Sequence, residues 1–150
     1  MRLGALEAGG TKMVCAIGNE QGEIFERVSI PTETPEITMP KLIAYFKDKE
    51  IEALGIGCFG PIDLNRKSET YGYITTTPKL KWANYNIVGA FQEALGVPVG
   101  FDTDVNGSAL GEATWETACT LPSEPEWAPE SFPTESCSTA CFIRKAAMCF

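Results

Sequence analysis

The sequence contains no histidine, and its 150 residues hold no apolar run long enough to cross a membrane. The missing histidine excludes any metal site built on that side chain, and the six cysteines include no tight Cys-x2-Cys pair. Basic residues are also few, with 12 Lys and Arg against 20 Asp and Glu, so the net charge is −8. This charge argues against nucleic acid and anionic membranes as partners. We therefore expect no zinc site, no nucleic-acid partner and no membrane anchor.

The N-terminal segment also lacks the apolar stretch of a signal peptide, because Glu7 follows Arg2 after only a short apolar patch. A cytoplasmic location is the resulting expectation. Cys15 and Cys58 lie within apolar runs and are predicted to be buried free thiols. The length of 150 residues suits one domain, or one lobe of a larger protein.

The apolar pattern predicts three antiparallel strands followed by helices that alternate with strands. A helix is expected from Thr34 to about Lys49, with its apolar positions at Ile37, Leu42, Ile43, Tyr45 and Phe46. Further elements are a strand at 51–58, a helix at 87–95 that ends at Gly96, a strand at 97–101 and a helix at 105–115. This layout is α/β and matches the ribonuclease H-like fold of actin, hexokinase and sugar-kinase lobes.

Residues 6–12, which read Leu-Glu-Ala-Gly-Gly-Thr-Lys, lie between two apolar runs. The glycine pair predicts a tight hairpin turn between two strands. Backbone amides and small hydroxyls of such a turn can contact phosphate oxygens, and Glu7 could act on a Mg²⁺ ion directly or through water. An ordinary hairpin is the alternative. The segment is not a Walker A loop, because the spacing Gly-x4-Gly-Lys-Ser/Thr is absent.

Residues 102–106, Asp-Thr-Asp-Val-Asn, follow a predicted strand at the point where α/β sheets place their sites. A carboxylate there can accept the proton of a hydroxyl that attacks a γ-phosphate. Asn106 can hydrogen-bond neighbouring hydroxyls as donor and acceptor. The alternative is that these Asp and Asn residues only cap the following helix.

Residues 55–60 formally match the dinucleotide-binding pattern Gly-x-Gly-x-x-Gly. That pattern requires its glycines to open a helix, whereas here the last glycine runs into Pro61 and a polar loop. We therefore reject dinucleotide binding and expect a strand that ends in a glycine turn beside a ligand.

Residues 6–12, 55–63, 76–82 (Thr-Thr-Pro-Lys-Leu-Lys-Trp) and 97–106 resemble the ROK family of sugar kinases and its bacterial fructokinase branch. The resemblance covers residues 1 to about 115 as one N-terminal lobe. It implies four residues at the ATP phosphates: Gly9, Gly10, Thr11 and Lys12. It also implies Glu7 near Mg²⁺, and Asp104 as the general base that takes the proton of the sugar hydroxyl.

The same resemblance implies that Gly60, Pro61 and Asn106 line the sugar pocket. ATP would be the phosphoryl donor and a hexose the acceptor, with fructose favoured. Intact family members are expected to be homodimers. Thr103 departs from the many members that carry Asn at this position, although the fructokinase branch tolerates Thr.

The family pattern stops after this point. A second Gly-rich phosphate loop, a His-Pro-Glu sugar segment, a Cys/His zinc site and a second lobe are all missing from the sequence, so we expect the chain alone to be inactive. Residues 116–135 instead hold four prolines and five glutamates without a Lys or Arg. Codons permitted for residues 121–130 and 138–147 can encode both missing motifs in a shifted frame. We therefore interpret residues 116–150 as a frameshifted tail, whose cysteines carry no meaning.

Two other classes of protein stay open. One is a non-catalytic sugar-sensing protein, but the repressors of the same superfamily carry an N-terminal helix-turn-helix, and this sequence starts at its first strand. The other is a sugar- or nucleotide-binding interaction domain whose acidic, proline-rich tail is a genuine product.

Overall fold

The computed structural model describes residues 1–104. Its strands are β1 (Leu3–Ala8), β2 (Lys12–Gly18), β3 (Ile24–Pro31), β4 (Ala53–Cys58), β5 (Tyr73–Ile74), β6 (Tyr85–Asn86) and β7 (Val99–Thr103). Its helices are α1 (Pro35–Asp48), a 3-10 turn at Leu80–Trp82, and α2 (Ile87–Leu95). The helix expected at 105–115, Asn106 and the tail at 116–150 lie outside the described residues.

Five strands form the main sheet in the order β3-β2-β1-β4-β7. The strand β2 is antiparallel to both β1 and β3, because short connections join these three strands. The strands β4 and β7 run parallel to β1, and the connections that lead into them contain α1 and α2. The predicted succession of three antiparallel strands, helix, strand, helix and strand is confirmed.

The small sheet of β5 and β6 was not predicted. Each of its strands has two residues, and Tyr73 pairs with Asn86 and Ile74 with Tyr85. Strands of two residues are too short to show the period-two alternation by which strands are found in a sequence.

The hydrophobic core lies between the main sheet and the two helices. Alternate residues of β1 point into it, so that Leu6 and Ala8 are buried there. The rings of Phe46 in α1 and Phe91 in α2 meet edge to face at 6.0 Å between centroids. Cys15 and Cys58 are free thiols buried in the same core, as predicted.

Helix α1 begins with Pro35, whose fixed backbone angle suits a first helical turn. Its buried face carries Thr38, Met39, Leu42 and Phe46, which follow helical spacing. The assignment of Ile37 to the apolar face is wrong, because that side chain is 44% exposed. Thr38 takes the inward position instead, and its hydroxyl accepts a 2.9 Å hydrogen bond from the amide of Glu33.

Helix α2 has both of its expected ends. The side chain of Asn86 accepts a 2.8 Å hydrogen bond from the amide of Gly89 at the first turn. Gly96 ends the helix with φ 66°, a left-handed conformation that glycine adopts without steric cost. Neither helix within residues 1–104 has the length and hydropathy needed to cross a membrane.

Candidate functional site

The three parallel strands β1, β4 and β7 end at the same level of the sheet. Ala8 of β1 pairs with Cys58 of β4, which in turn pairs with Thr103 of β7. The segments that follow these residues therefore leave the sheet at the same edge, where ligands of α/β proteins bind. This topology brings Gly9 and Asp104, two residues predicted from the sequence, to one region of the molecule.

One position before the ends of these three strands, two residues carry carboxylates. Glu7 pairs with Gly57, and Gly57 pairs with Asp102. Successive side chains of a strand point to opposite faces of the sheet. Glu7 and Asp102 occupy equivalent positions in their strands, so their side chains lie on the same face. Two strand spacings separate their backbones by about 10 Å, and Gly57 places no side chain between them. Glu7 is the residue predicted to lie near Mg²⁺, whereas the sequence predicts no role for Asp102.

The turn between β1 and β2 is a close hairpin. The amide of Gly9 donates a 3.0 Å hydrogen bond to the carbonyl of Lys12. A β-carbon built on Gly9 would lie 2.5 Å from that carbonyl oxygen, so the turn requires glycine here. Within the described residues, the amides of Gly10 and Thr11 donate no hydrogen bond. They are available to an anion such as a phosphate oxygen.

Gly10 leaves open space for a ligand. A β-carbon built on it would meet no protein atom closer than Cε of Lys79, at 3.8 Å. Lys79 belongs to the motif at residues 76–82, but the sequence predicts no role for it. It arrives from a different part of the chain, so hydrophobic periodicity could not have placed it beside the hairpin.

Asp104, the residue predicted to be the general base, directly follows the last residue of β7 and is half-buried. Burial, and secondarily the negative charge of Asp104, raise the pKa of the Cys58 thiol well above its ordinary value. The pairing of Cys58 with Thr103 places the next residue, Asp104, near the last residue of β4. The rejection of a dinucleotide-binding loop is consistent with this arrangement, because Gly55 and Gly57 lie inside β4 rather than at a helix start.

The loop that contains Gly60 and Pro61 follows β4. Its backbone is held by Thr75, whose amide and hydroxyl donate hydrogen bonds of 2.9 and 3.0 Å to the carbonyl of Pro61. Nearby, hydrogen bonds from Ser68 and Thr70 hold the pKa of Asp63 below its usual value. Gly60 and Pro61 follow the end of β4 and lie at the same edge of the sheet as Gly9 and Asp104. Asn106, which is expected to line the sugar pocket with them, lies outside the described residues.

No three carboxylates or thiols among residues 1–104 cluster as ligands for a metal ion. Magnesium in phosphoryl-transfer sites is held by one or two carboxylates together with water and substrate phosphates. A single carboxylate such as Glu7, next to a hairpin with two available amides, fits that mode of binding. The residues present therefore fit a Mg²⁺–nucleotide complex.

Comparisons with known proteins agree with the fold. The ROK family profile matches residues 3–122, and the chain belongs to this family. A fructokinase from Lactococcus lactis subsp. cremoris is 54% identical over 109 residues, which are 73% of this chain and 38% of the relative. The chain thus corresponds to only part of the length of its curated relatives.

Solved structures confirm the ribonuclease H-like lobe. A ROK hexokinase from Thermus thermophilus superposes with a TM-score of 0.62 and 29% identity, over 75% of this chain and 38% of that one. A ROK family glucokinase from Streptomyces griseus, solved in complex with glucose and AMPPNP, gives a TM-score of 0.63 and 25% identity over 75% of this chain and 36% of its own. The predicted fold class is therefore confirmed.

Proposed function

We propose that this chain contributes the N-terminal lobe of an ATP-dependent hexose kinase, with fructose as the favoured acceptor. The observation that carries the proposal is the meeting of the Gly9–Gly10 hairpin and Asp104 at one edge of the sheet. Fructose is favoured because the fructokinase relative is 54% identical, against 25% for the glucokinase structure. The proposed partners are the sugar and ATP, without nucleic acid.

Each site residue has a proposed role. The hairpin residues Gly9, Gly10, Thr11 and Lys12 bind the ATP phosphates, and Glu7 contacts Mg²⁺ directly or through water. Asp104 accepts the proton of the sugar hydroxyl as its oxygen attacks the γ-phosphorus. Phosphoryl transfer depends on positioning and on charge stabilisation from both sides of a cleft. Residues 1–150 by themselves therefore bind nucleotide but turn over no sugar.

Gly60, Pro61 and Asn106 are proposed to line the sugar pocket. We further propose that the complete protein is a cytoplasmic homodimer and that residues from about 116 onward are translated in a shifted frame. The family match, which ends at residue 122, supports a boundary near this position. Sequencing of the coding DNA tests the proposal, because the shifted frame must encode the second Gly-rich loop and the His-Pro-Glu segment.

A chimera tests the function of the lobe. Residues 1–104 are joined to the complementary remainder of the Lactococcus lactis fructokinase, and phosphorylation of fructose and glucose by ATP is measured. We expect activity that favours fructose and a loss of roughly 10²–10⁴-fold on Asp104→Asn, the usual contribution of a general base.

The matched control is Asp48→Asn, which changes an exposed carboxylate at the end of α1 and is expected to leave the rate unchanged. A folded chimera without activity, together with Mg·ATP binding by residues 1–150, favours the non-catalytic binding domain instead. If the chimera is inactive and residues 1–150 do not bind Mg·ATP, the proposal is overturned.

A further inference from the structure

Lys79 lies beside the phosphate-binding hairpin although it belongs to the loop between β5 and β6. A β-carbon built on Gly10 would lie 3.8 Å from Cε of Lys79, the carbon that bears the ammonium group. The two available amides of the hairpin, at Gly10 and Thr11, are therefore joined by a positive charge from a second segment. Such a convergence of amides and a cation is typical of a phosphate site.

The backbone at Lys79 is fixed by its neighbours. The amide of Trp82 donates a 2.8 Å hydrogen bond to the carbonyl of Lys79. Trp82 itself is fully buried, and its ring contacts those of Phe59 and Tyr85 edge to face. The loop therefore rests on an anchor in the core, which restricts where the Lys79 side chain can reach.

The same anchor is linked to the hairpin. The indole Nε1 of Trp82 donates a 2.8 Å hydrogen bond to the carbonyl of Glu33, a residue 49 positions away. The residue before it, Thr32, donates a 2.7 Å hydrogen bond to the carbonyl of Gly9. One short segment, Thr32 and Glu33, thus holds both the hairpin and the loop that presents Lys79. The backbone that carries Lys79 is thus held beside the hairpin before any ligand arrives, which lowers the entropic cost of binding.

The ammonium of Lys79 is not committed to a carboxylate. Other lysines of the chain form ion pairs, such as Lys41 with Glu33 and Lys49 with Glu26. In the part of the chain that the structure describes, no carboxylate lies within ion-pair distance of Lys79. Its charge is therefore available to a ligand that carries negative charge.

We propose that Lys79 is a phosphate-binding residue, which contacts the terminal phosphates of the nucleotide held at the Gly9–Gly10 hairpin. This proposal deepens the proposed function and depends on it. An ammonium–phosphate contact is charge-assisted, and its loss is expected to weaken nucleotide binding about tenfold. The contact is also expected to weaken with ionic strength, because the site is open to solvent.

Calorimetric titration of the full 150-residue chain with Mg·ATP tests the proposal. We expect Lys79→Met to raise Kd about tenfold and to flatten the dependence of Kd on salt, whereas Lys79→Arg keeps both close to wild type. The matched control is Lys81→Met, which removes an exposed lysine two positions along the same loop and is expected to leave Kd within about twofold. Thermal unfolding verifies that all variants are folded.

The other possible results of this titration contradict either the role of Lys79 or nucleotide binding itself. Equal Kd values for wild type and Lys79→Met overturn the role of Lys79 but leave the proposed function intact. Equal losses for Lys79→Met and Lys81→Met also overturn it, since they indicate a general effect of net charge. Failure of the wild-type chain to bind Mg·ATP overturns nucleotide binding by residues 1–150, and the role of Lys79 with it, whereas activity of the chimera decides the kinase proposal separately.

Discussion

The hydroxyl of Thr32 donates a 2.7 Å hydrogen bond to the carbonyl of Gly9, and its amide donates a 2.9 Å hydrogen bond to the carbonyl of Thr11. A single residue after β3 thus holds both sides of the hairpin turn. Because these carbonyls are fixed by Thr32, the amides of Gly10 and Thr11 keep their orientation toward the site. The shape of the hairpin depends on a residue 23 positions further along the chain.

Thr32→Val tests this relationship. The substitution keeps the shape of the side chain but removes the hydroxyl donor, so the carbonyl of Gly9 loses a partner. We expect the free energy of unfolding to fall by about 1 kcal/mol and Mg·ATP binding to weaken. Urea unfolding and calorimetric titration measure the two effects. Ser29→Ala, which removes an exposed hydroxyl on the preceding strand, is the control and should change neither quantity.

Alanine substitutions at Gly9 and Gly10 separate stability from binding. Gly9→Ala places a β-carbon 2.5 Å from the carbonyl oxygen of Lys12, and the backbone must shift. We expect it to cost about 1–3 kcal/mol of unfolding free energy. Gly10→Ala makes only ordinary contact with Lys79, at 3.8 Å, so stability is kept while the methyl group obstructs the phosphates.

Urea unfolding and Mg·ATP titration of both variants measure this difference. Gly10→Ala should bind nucleotide more weakly at unchanged stability, whereas Gly9→Ala should lose stability first. If Gly10→Ala binds Mg·ATP as wild type does, phosphates do not approach Gly10.

Trp82→Phe removes the indole donor but keeps an aromatic ring in the core. The carbonyl of Glu33 loses its 2.8 Å hydrogen bond, so we expect a loss of about 1–3 kcal/mol in unfolding free energy. Binding of Mg·ATP should also weaken, because Lys79 loses its anchor. The exposed substitution Leu80→Ala, in the same 3-10 turn, is the control. Unchanged affinity in a destabilised Trp82→Phe variant would separate the anchor from the binding site.

Stability is expected to fall at alkaline pH because of buried thiols. Burial raises the pKa of Cys15 to about 12 from an ordinary value of 9.0. Between these two values the thiol ionises in the unfolded chain but not in the folded one, so rising pH favours unfolding. We expect the free energy of unfolding to fall above pH 9.0 by about 1.4 kcal/mol per pH unit for this thiol.

Urea unfolding over a series of alkaline pH values measures that slope. Cys15→Ala should have a shallower slope than wild type by the contribution of one thiol, whatever its stability at neutral pH. Ile17→Val changes a buried side chain on the same strand without removing a titrating group, and should keep the wild-type slope. Equal slopes for wild type and Cys15→Ala would show that this thiol does not set the alkaline limit.

Much of the fold could be predicted because its signals are local. The glycine pair at Gly9 and Gly10 predicts the first hairpin, and Gly96 predicts the end of α2. The inward face of α1 was predicted less well. Apolar spacing favours Ile37, whereas the structure buries Thr38, whose hydroxyl accepts the amide of Glu33. The burial of Thr38 depends on a hydrogen bond to a residue that precedes the helix, and hydrophobic periodicity carries no information about such a bond.

The candidate site was predictable only where it follows strand ends. Glu7, Gly9 and Asp104 meet at one edge because parallel strands end together, a rule that needs no side-chain detail. The position of Lys79 could not be predicted, since it depends on the hydrogen bond between Trp82 and Glu33 across 49 positions. Contacts of this kind arise from packing and leave no periodic signal in the sequence.

The order of strands in the sheet also sets an order of assembly. Four of the five strands of the main sheet, β1 to β4, lie within residues 3–58, and β1 is the middle strand of the five. As the ribosome extends the chain, these strands can pair before β7 emerges. The strand β7 then adds to the free edge of β4 and carries Asp104 into place. The turn proposed to bind phosphate can thus form during synthesis before the carboxylate proposed to act as the base has emerged.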